Sequence, residues 1–109
     1  MNLTAMQAEV STWHRREFPE VSLSDITLKL CEEAGEVARC VGSISAGARV
    51  DRGEVDWPAI LEDEAADVLV ALLALADRYG FDLSHAWERR FLGTVRHRRY
   101  ASVEALPLS

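Results

Sequence analysis

The stretch WPAILEDEAADVLVALLALADRYG, residues 57–80, decides how this 109-residue chain folds. Its apolar positions recur every three or four residues, the period of a helix, and nowhere does the chain alternate with the period of two that a strand needs. Pro58 suits a first helical turn, where its missing N–H has no partner to lose. Gly80 suits the left-handed residue that closes a helix. On a wheel at about 100° per residue, Ile60, Leu61, Val68, Ala71, Leu72 and Leu75 form one stripe. Glu64 falls in the middle of that stripe, and Asp67 sits on its edge in line with Ile60, Ala71 and Ala74. Glu62 and Asp63 point away, as solvated acids do. A carboxylate among buried apolar neighbours is strongly destabilising unless something compensates its charge.

Working outward, the preceding segment reads as a second helix from a cap near Ser24, with Ile26, Leu30, Val37, Val41 and Ile44 in one stripe. Glu33 and Glu36, spaced i, i+3, project to one side about a turn apart, and Glu32 joins them on that edge. Residues 45–56, with Gly47 and Gly53, read as a polar loop. Upstream, Thr4 to Glu17 is a helix stopped by Pro19. Downstream, Asp82 or Ser84 caps a fourth helix expected to run to about Tyr100, followed by a frayed tail, Ala101 to Ser109. The expectation is one all-α domain over residues 1–109, a four-helix bundle whose thin core is completed by another copy.

Composition narrows the partners. The longest apolar run, Val68 to Ala76, is too short to span a bilayer, and no leader-like segment opens the chain, so the cytoplasm is the expected compartment and no membrane partner is expected. A formal charge of −6 argues against a non-specific duplex-DNA binder. Cys31 and Cys40 lie about 13 Å apart along one helix, too far to bridge, and read as buried thiols. From His85 to Tyr100 there are five arginines (Arg89, Arg90, Arg96, Arg98 and Arg99) against one acid, Glu88. That reads either as a solvated face or as a surface for a polyanion.

The acids on the two central helices have two possible explanations. One is a buried ion-pair network. The other is an all-oxygen cage for one or two Mg²⁺ or Mn²⁺ ions. Few cations are at hand on these helices (Lys29, Arg39 and Arg78), which favours the cage. The absence of Glu-x-x-His pairs weighs against zinc and di-iron sites.

Glu32-Glu33-Ala34-Gly35-Glu36, followed after 27 residues by Glu64-Ala65-Ala66-Asp67, resembles the EExxE…ExxD signature of the MazG-like all-α NTP pyrophosphohydrolases. Asp67-Val68-Leu69-Val70-Ala71-Leu72-Leu73 with Gly80-Phe81-Asp82-Leu83 is similar to that family's third helix and turn. The opening Gln7 to Trp13, closed by Phe18-Pro19, is similar to the first helix of short members. The resemblance implies a homodimer or homotetramer that hydrolyses a nucleoside triphosphate to the monophosphate and pyrophosphate. It implies Glu33, Glu36, Glu64 and Asp67 as metal ligands and Glu32 as an aid to a second ion or to the attacking water. Where the family commonly carries lysine, asparagine and arginine at i, i+4, i+8 on the last helix, this chain has Arg90, Thr94 and Arg98.

The expected chemistry is in-line attack of an activated water, with pyrophosphate leaving and Arg90 and Arg98 neutralising its charge. Trp13, Lys29, Arg90, Thr94 and Arg98 are the candidate substrate contacts. Trp13 reads either as a platform for the base or as a packing residue of the first helix. Trp57 and Trp87 read as core or interface residues, and His14 and His85 as surface residues. The rival readings are a phosphoribosyl-ATP pyrophosphohydrolase and a non-catalytic helical protein that binds nucleotide or a partner.

Overall fold

The computed structural model describes residues 1–47 and 55–98. These residues are all-helical: α1 Leu3–Glu17, α2 Leu23–Ser45, α3 Trp57–Tyr79 and a short α4 Leu83–Trp87, continued by a π-helical turn Glu88–Leu92 and a 3₁₀ turn Val95–His97. None of the described helices is long and apolar enough to cross a membrane.

Each long helix begins where a short polar side chain meets an orphan N–H. Asn2 accepts from Ala5 N, Ser22 from Asp25 N and Asp56 from Ala59 N. The cap of α2 is thus Ser22 rather than Ser24, because the Ser22 hydroxyl is the one that reaches the free first-turn N–H groups. Pro58 lies in the first turn of α3, and Gly80, at φ 104°, closes it in the left-handed conformation.

α3 is the centre of the packing, with α2 on one side and α1 on the other. Its buried residues are Ala71, Leu73, Ala74 and Ala76, so it has two covered flanks, not the single stripe read from the sequence. Ala71 and Ala74 let the other helices approach closely. Leu73, one turn before Asp77, lies on the side where Asp77 takes the Arg15 Nε of α1 at 2.9 Å. α2 and α3 are antiparallel, since Glu33 meets Glu64 and Asp67 while Arg39 lies over the Trp57 ring. The seam of α2 is Ile26, Glu33 and Cys40, each seven residues after the last, with an acid at its centre. Val41 and Ile44, expected in the buried stripe, are exposed, as is Cys31. The seam is turned away from that stripe to bring Glu33 inward.

The fourth helix departs from expectation. The backbone widens to a π-turn after Trp87, and Thr94, at φ −136° and ψ −66°, ends helical continuity. Gly93 is required there, because a Cβ would come 2.5 Å from the Arg89 carbonyl oxygen. α4 lies against α1, joined through Gln7, whose side chain donates to Phe81 O at 2.8 Å and accepts from Leu83 N at 2.9 Å. Arg99, Tyr100, the tail and most of the Gly47–Gly53 loop lie outside the described residues.

Burial opposes ionisation of Asp77, but hydrogen bonds from Ser11 and Arg15 outweigh it and hold the carboxyl below its ordinary range. The folded chain therefore binds this proton less readily than the unfolded chain. The contribution is present above the unfolded pKa, about 3.9, and is lost as pH falls through the lower folded value. Asp77→Asn should lower the melting temperature at pH 7 and matter progressively less below about pH 4. An Asp77→Asn deficit that stays constant down to pH 2.5 would contradict this account.

Candidate functional site

Three acids converge where α2 crosses α3. One carboxylate oxygen from each of Glu33, Glu64 and Asp67 lies within 4.8 Å of the other two. Glu33 is buried, Glu64 half-buried and Asp67 exposed. The i, i+3 spacing of Glu64 and Asp67 puts both on the flank of α3 that meets the α2 seam.

Their compensation is uneven. Lys29 Nζ lies 2.9 Å from Glu33, one helical turn away. This contact holds the Glu33 carboxyl below its usual range despite burial and raises Lys29. Glu64 has no ion pair among the described residues. Desolvation, then the neighbouring Glu33, pushes its carboxyl up. Asp67 likewise has no cation partner among the described residues. The ion-pair explanation thus accounts for Glu33 and leaves two of the three acids without a counter-charge.

Glu36 stands outside the trio. Arg39 Nε donates to it at 3.0 Å, and the Arg39 guanidinium lies 5.5 Å from the Trp57 ring centroid. Trp57, at the start of α3, thereby steadies the arginine that draws Glu36 aside. Glu32 is exposed and lies 3.6 Å from Lys29, so both neighbours of the seam acid engage cations rather than the cluster.

A cavity of about 560 Å³ opens beside the acids. α2 lines it with Asp25, Ile26, Lys29 and Glu33, and α3 with Asp67, Val70, Ala71 and Ala74. The end of α1 and the turn after it add Trp13, His14, Phe18 and Val21. The Asp25, Lys29 and Glu33 steps of four residues cover about 12 Å along α2. The acids are therefore at one end and the aromatic side chains at the other. Trp13 meets Phe18 edge-on at 5.7 Å, and His14 lies 6.0 Å from Trp13 and 5.3 Å from Phe18. Trp13, 40% exposed, both packs on its neighbours and keeps a free face.

His14, expected at the surface, belongs to this wall and is half-buried. Desolvation, then Arg78, lowers its pKa. Its Nδ1 is buried without a hydrogen-bond partner among the described residues. Arg78 anchors the wall, donating to the carbonyls of Phe18 at 2.8 Å, Val21 at 3.4 Å and His14 at 3.5 Å. Phe18, Val21, Asp25 and Arg78 were not singled out as site residues in the sequence. They act through a turn that closes on α3 sixty residues away, which helical periodicity does not report.

The C-terminal candidates are not brought onto one face. Arg90 is on the π-helical turn, Thr94 sits at the break and Arg98 follows the 3₁₀ turn. An i, i+4, i+8 face requires continuous α-helix, and Thr94 interrupts it. Trp87 and Phe91 stack at 5.5 Å there, both partly exposed.

The chain matches no protein-family model, no curated protein and no solved structure.

Proposed function

We propose that the chain is a Mg²⁺-dependent nucleotide pyrophosphohydrolase of the MazG-like type, with Mn²⁺ as an alternative ion, cleaving a nucleoside triphosphate to the monophosphate and pyrophosphate. One observation carries the reading. Two acids without a cation partner among the described residues, Glu64 and Asp67, converge with Glu33, and Glu33 and Asp67 line one end of a cavity whose other end is aromatic. That arrangement suits a ligand with a polyanionic end and a flat apolar end.

The donor set fits a hard divalent cation. All three groups are carboxylates, and the mutual proximity that raises the Glu64 pKa is what a cation would relieve. Glu33, Glu64 and Asp67 would hold the ion, and Glu36 would join them on release from Arg39. When bound, the ion would neutralise phosphate charge and favour attack by water.

The chain's own residues do the rest. Lys29, midway along the cavity, offers an ammonium to a phosphate oxygen. Trp13 and Phe18 offer ring surface to a base. Ile26, Val70, Ala71 and Ala74 exclude water from the floor. Glu32 accepts a proton or steers water once Lys29 turns to the substrate. A homodimer or homotetramer is supported by the apolar side chains left uncovered on α2, including Leu28, Val41 and Ile44.

The test is a melt in EDTA beside one in Mg²⁺, with pyrophosphate release followed against a panel of triphosphates. At ten times its Kd, an ion specific to the folded chain stabilises it by about 1.4 kcal/mol, which is roughly 5 °C for a domain of this size. Coincident melts, even with nucleotide present, together with no release of pyrophosphate, would remove the reading.

A further inference from the structure

We propose that the cavity selects nucleotides whose base carries an exocyclic amino group, and that Asp25 is the residue that reads it. The proposal rests on the nucleotide reading of this site and adds to it the class of base.

The polarity of the cavity sets the orientation of any nucleotide in it. Phosphates belong at the Glu33 and Asp67 end, where a cation would sit between these acids and Glu64. The base then lies about two turns of α2 away, among Trp13, His14, Phe18, Val21 and Ile26. Asp25 lines that same end, eight residues or about 12 Å before Glu33 along α2.

Asp25 is the one charged side chain at the aromatic end of the cavity. Lys29, a turn further on, directs its ammonium toward the acid end, 2.9 Å from Glu33 and 3.6 Å from Glu32. Asp25 has no ion pair of its own among the described residues. His14, across the cavity, is desolvated and disfavoured from carrying positive charge. The aromatic end therefore presents an acceptor of full negative charge and no cationic donor.

A carboxylate accepts hydrogen bonds and cannot donate them. Cytosine and adenine present an exocyclic amine to it, and guanine presents an amine beside a ring N–H. Uracil and thymine present one ring N–H flanked by two carbonyl oxygens, which repel the carboxylate. Stacking on Trp13 and Phe18 is tolerant of base identity, so the distinction falls to Asp25. A hydrogen bond to a charged acceptor, gained by one base and lost by another, corresponds to about 10- to 100-fold in affinity.

The experiment compares dCTP, dATP and dGTP with dUTP and dTTP, each with Mg²⁺, for the full chain and for its Asp25→Asn and Asp25→Ala variants. Pyrophosphate release gives kcat/KM, and calorimetric titration gives affinity whether or not turnover occurs. We expect the amino-bearing bases to be preferred by about tenfold or more, and both variants to bring the two groups to within about twofold. Melting curves of the variants check that they fold; Asp25 is exposed, and its substitution touches no core contact. Turnover without preference for the amino-bearing group, or a preference that survives in both variants, overturns the role of Asp25 and leaves the hydrolase reading standing. Preferential binding that disappears in the variants, with no turnover of any triphosphate, overturns the hydrolase reading and supports the base selection. Absence of binding by all five nucleotides overturns both.

Discussion

Glu64→Gln should leave the metal-free protein as stable as wild type, or more stable, while pyrophosphate release falls by at least about 100-fold. That is the upper end of what loss of an outer-shell partner alone costs a metal site. Glu64 lies against Glu33 and Asp67 with no cation of its own among the described residues. Desolvation and Glu33 already disfavour its charge. An amide of the same volume removes that repulsion and can hydrogen-bond to Glu33. It is also a weaker ligand for a hard divalent cation than a carboxylate. The readings are a melt in EDTA and turnover in Mg²⁺. A large loss of stability in EDTA with turnover intact would make Glu64 a structural partner and remove it from the metal site. Lys29→Met separates the neighbouring effect, since it strips Glu33 of its cation and should destabilise the metal-free chain while Mg²⁺ restores part of the loss.

Arg78→Met should lower stability by about 2–3 kcal/mol, the range for losing hydrogen bonds to a charged donor. For a domain near this size that is roughly 10 °C in melting temperature. Three carbonyls at the end of α1 and in the turn after it lose the guanidinium together; those of His14 and Phe18 keep only the backbone donors Phe18 N and Val21 N. Two of them, those of His14 and Phe18, belong to residues that form the aromatic wall, so the loss reaches the cavity as well as the fold. Nucleotide affinity should weaken, raising KM more than it lowers kcat, because the acids at the other end are untouched. Arg78→Lys should recover part of the stability by reaching Phe18 O and little of the affinity, since an ammonium cannot span three separated carbonyls. A variant that melts with wild type, or that loses kcat with KM unchanged, would show that Arg78 does not position this wall.

Helical periodicity, Pro58 and Gly80 are local signals, and local signals are what a sequence carries without its tertiary partners. They sufficed for the three long helices, for the start and stop of α3, and for singling out Glu64 as an acid on an apolar face. The pairing of Glu64 with Asp67 on α3 was legible for the same reason: a helix converts i, i+3 into a shared side by geometry alone. Which acids meet depends on how one helix is rotated against another. Packing turned α2 so that Ile26, Glu33 and Cys40 form its seam. That brought Glu33 inward, left Val41 and Ile44 exposed, and set Glu36 where Arg39, steadied by Trp57, captures it. The fourth helix starts at Asp82 as its sequence suggests, but its α-helical part ends at Trp87, well short of Tyr100. A π-turn over Glu88–Leu92, then Gly93 and the non-helical Thr94, redirect the chain. The aromatic wall was the least legible part, since it exists only where Arg78 ties the turn after α1 to a helix sixty residues later. The helices and their acidic faces thus follow from the sequence by itself. The rotation of those faces, and the cavity between them, were decided by contacts between segments far apart in the chain.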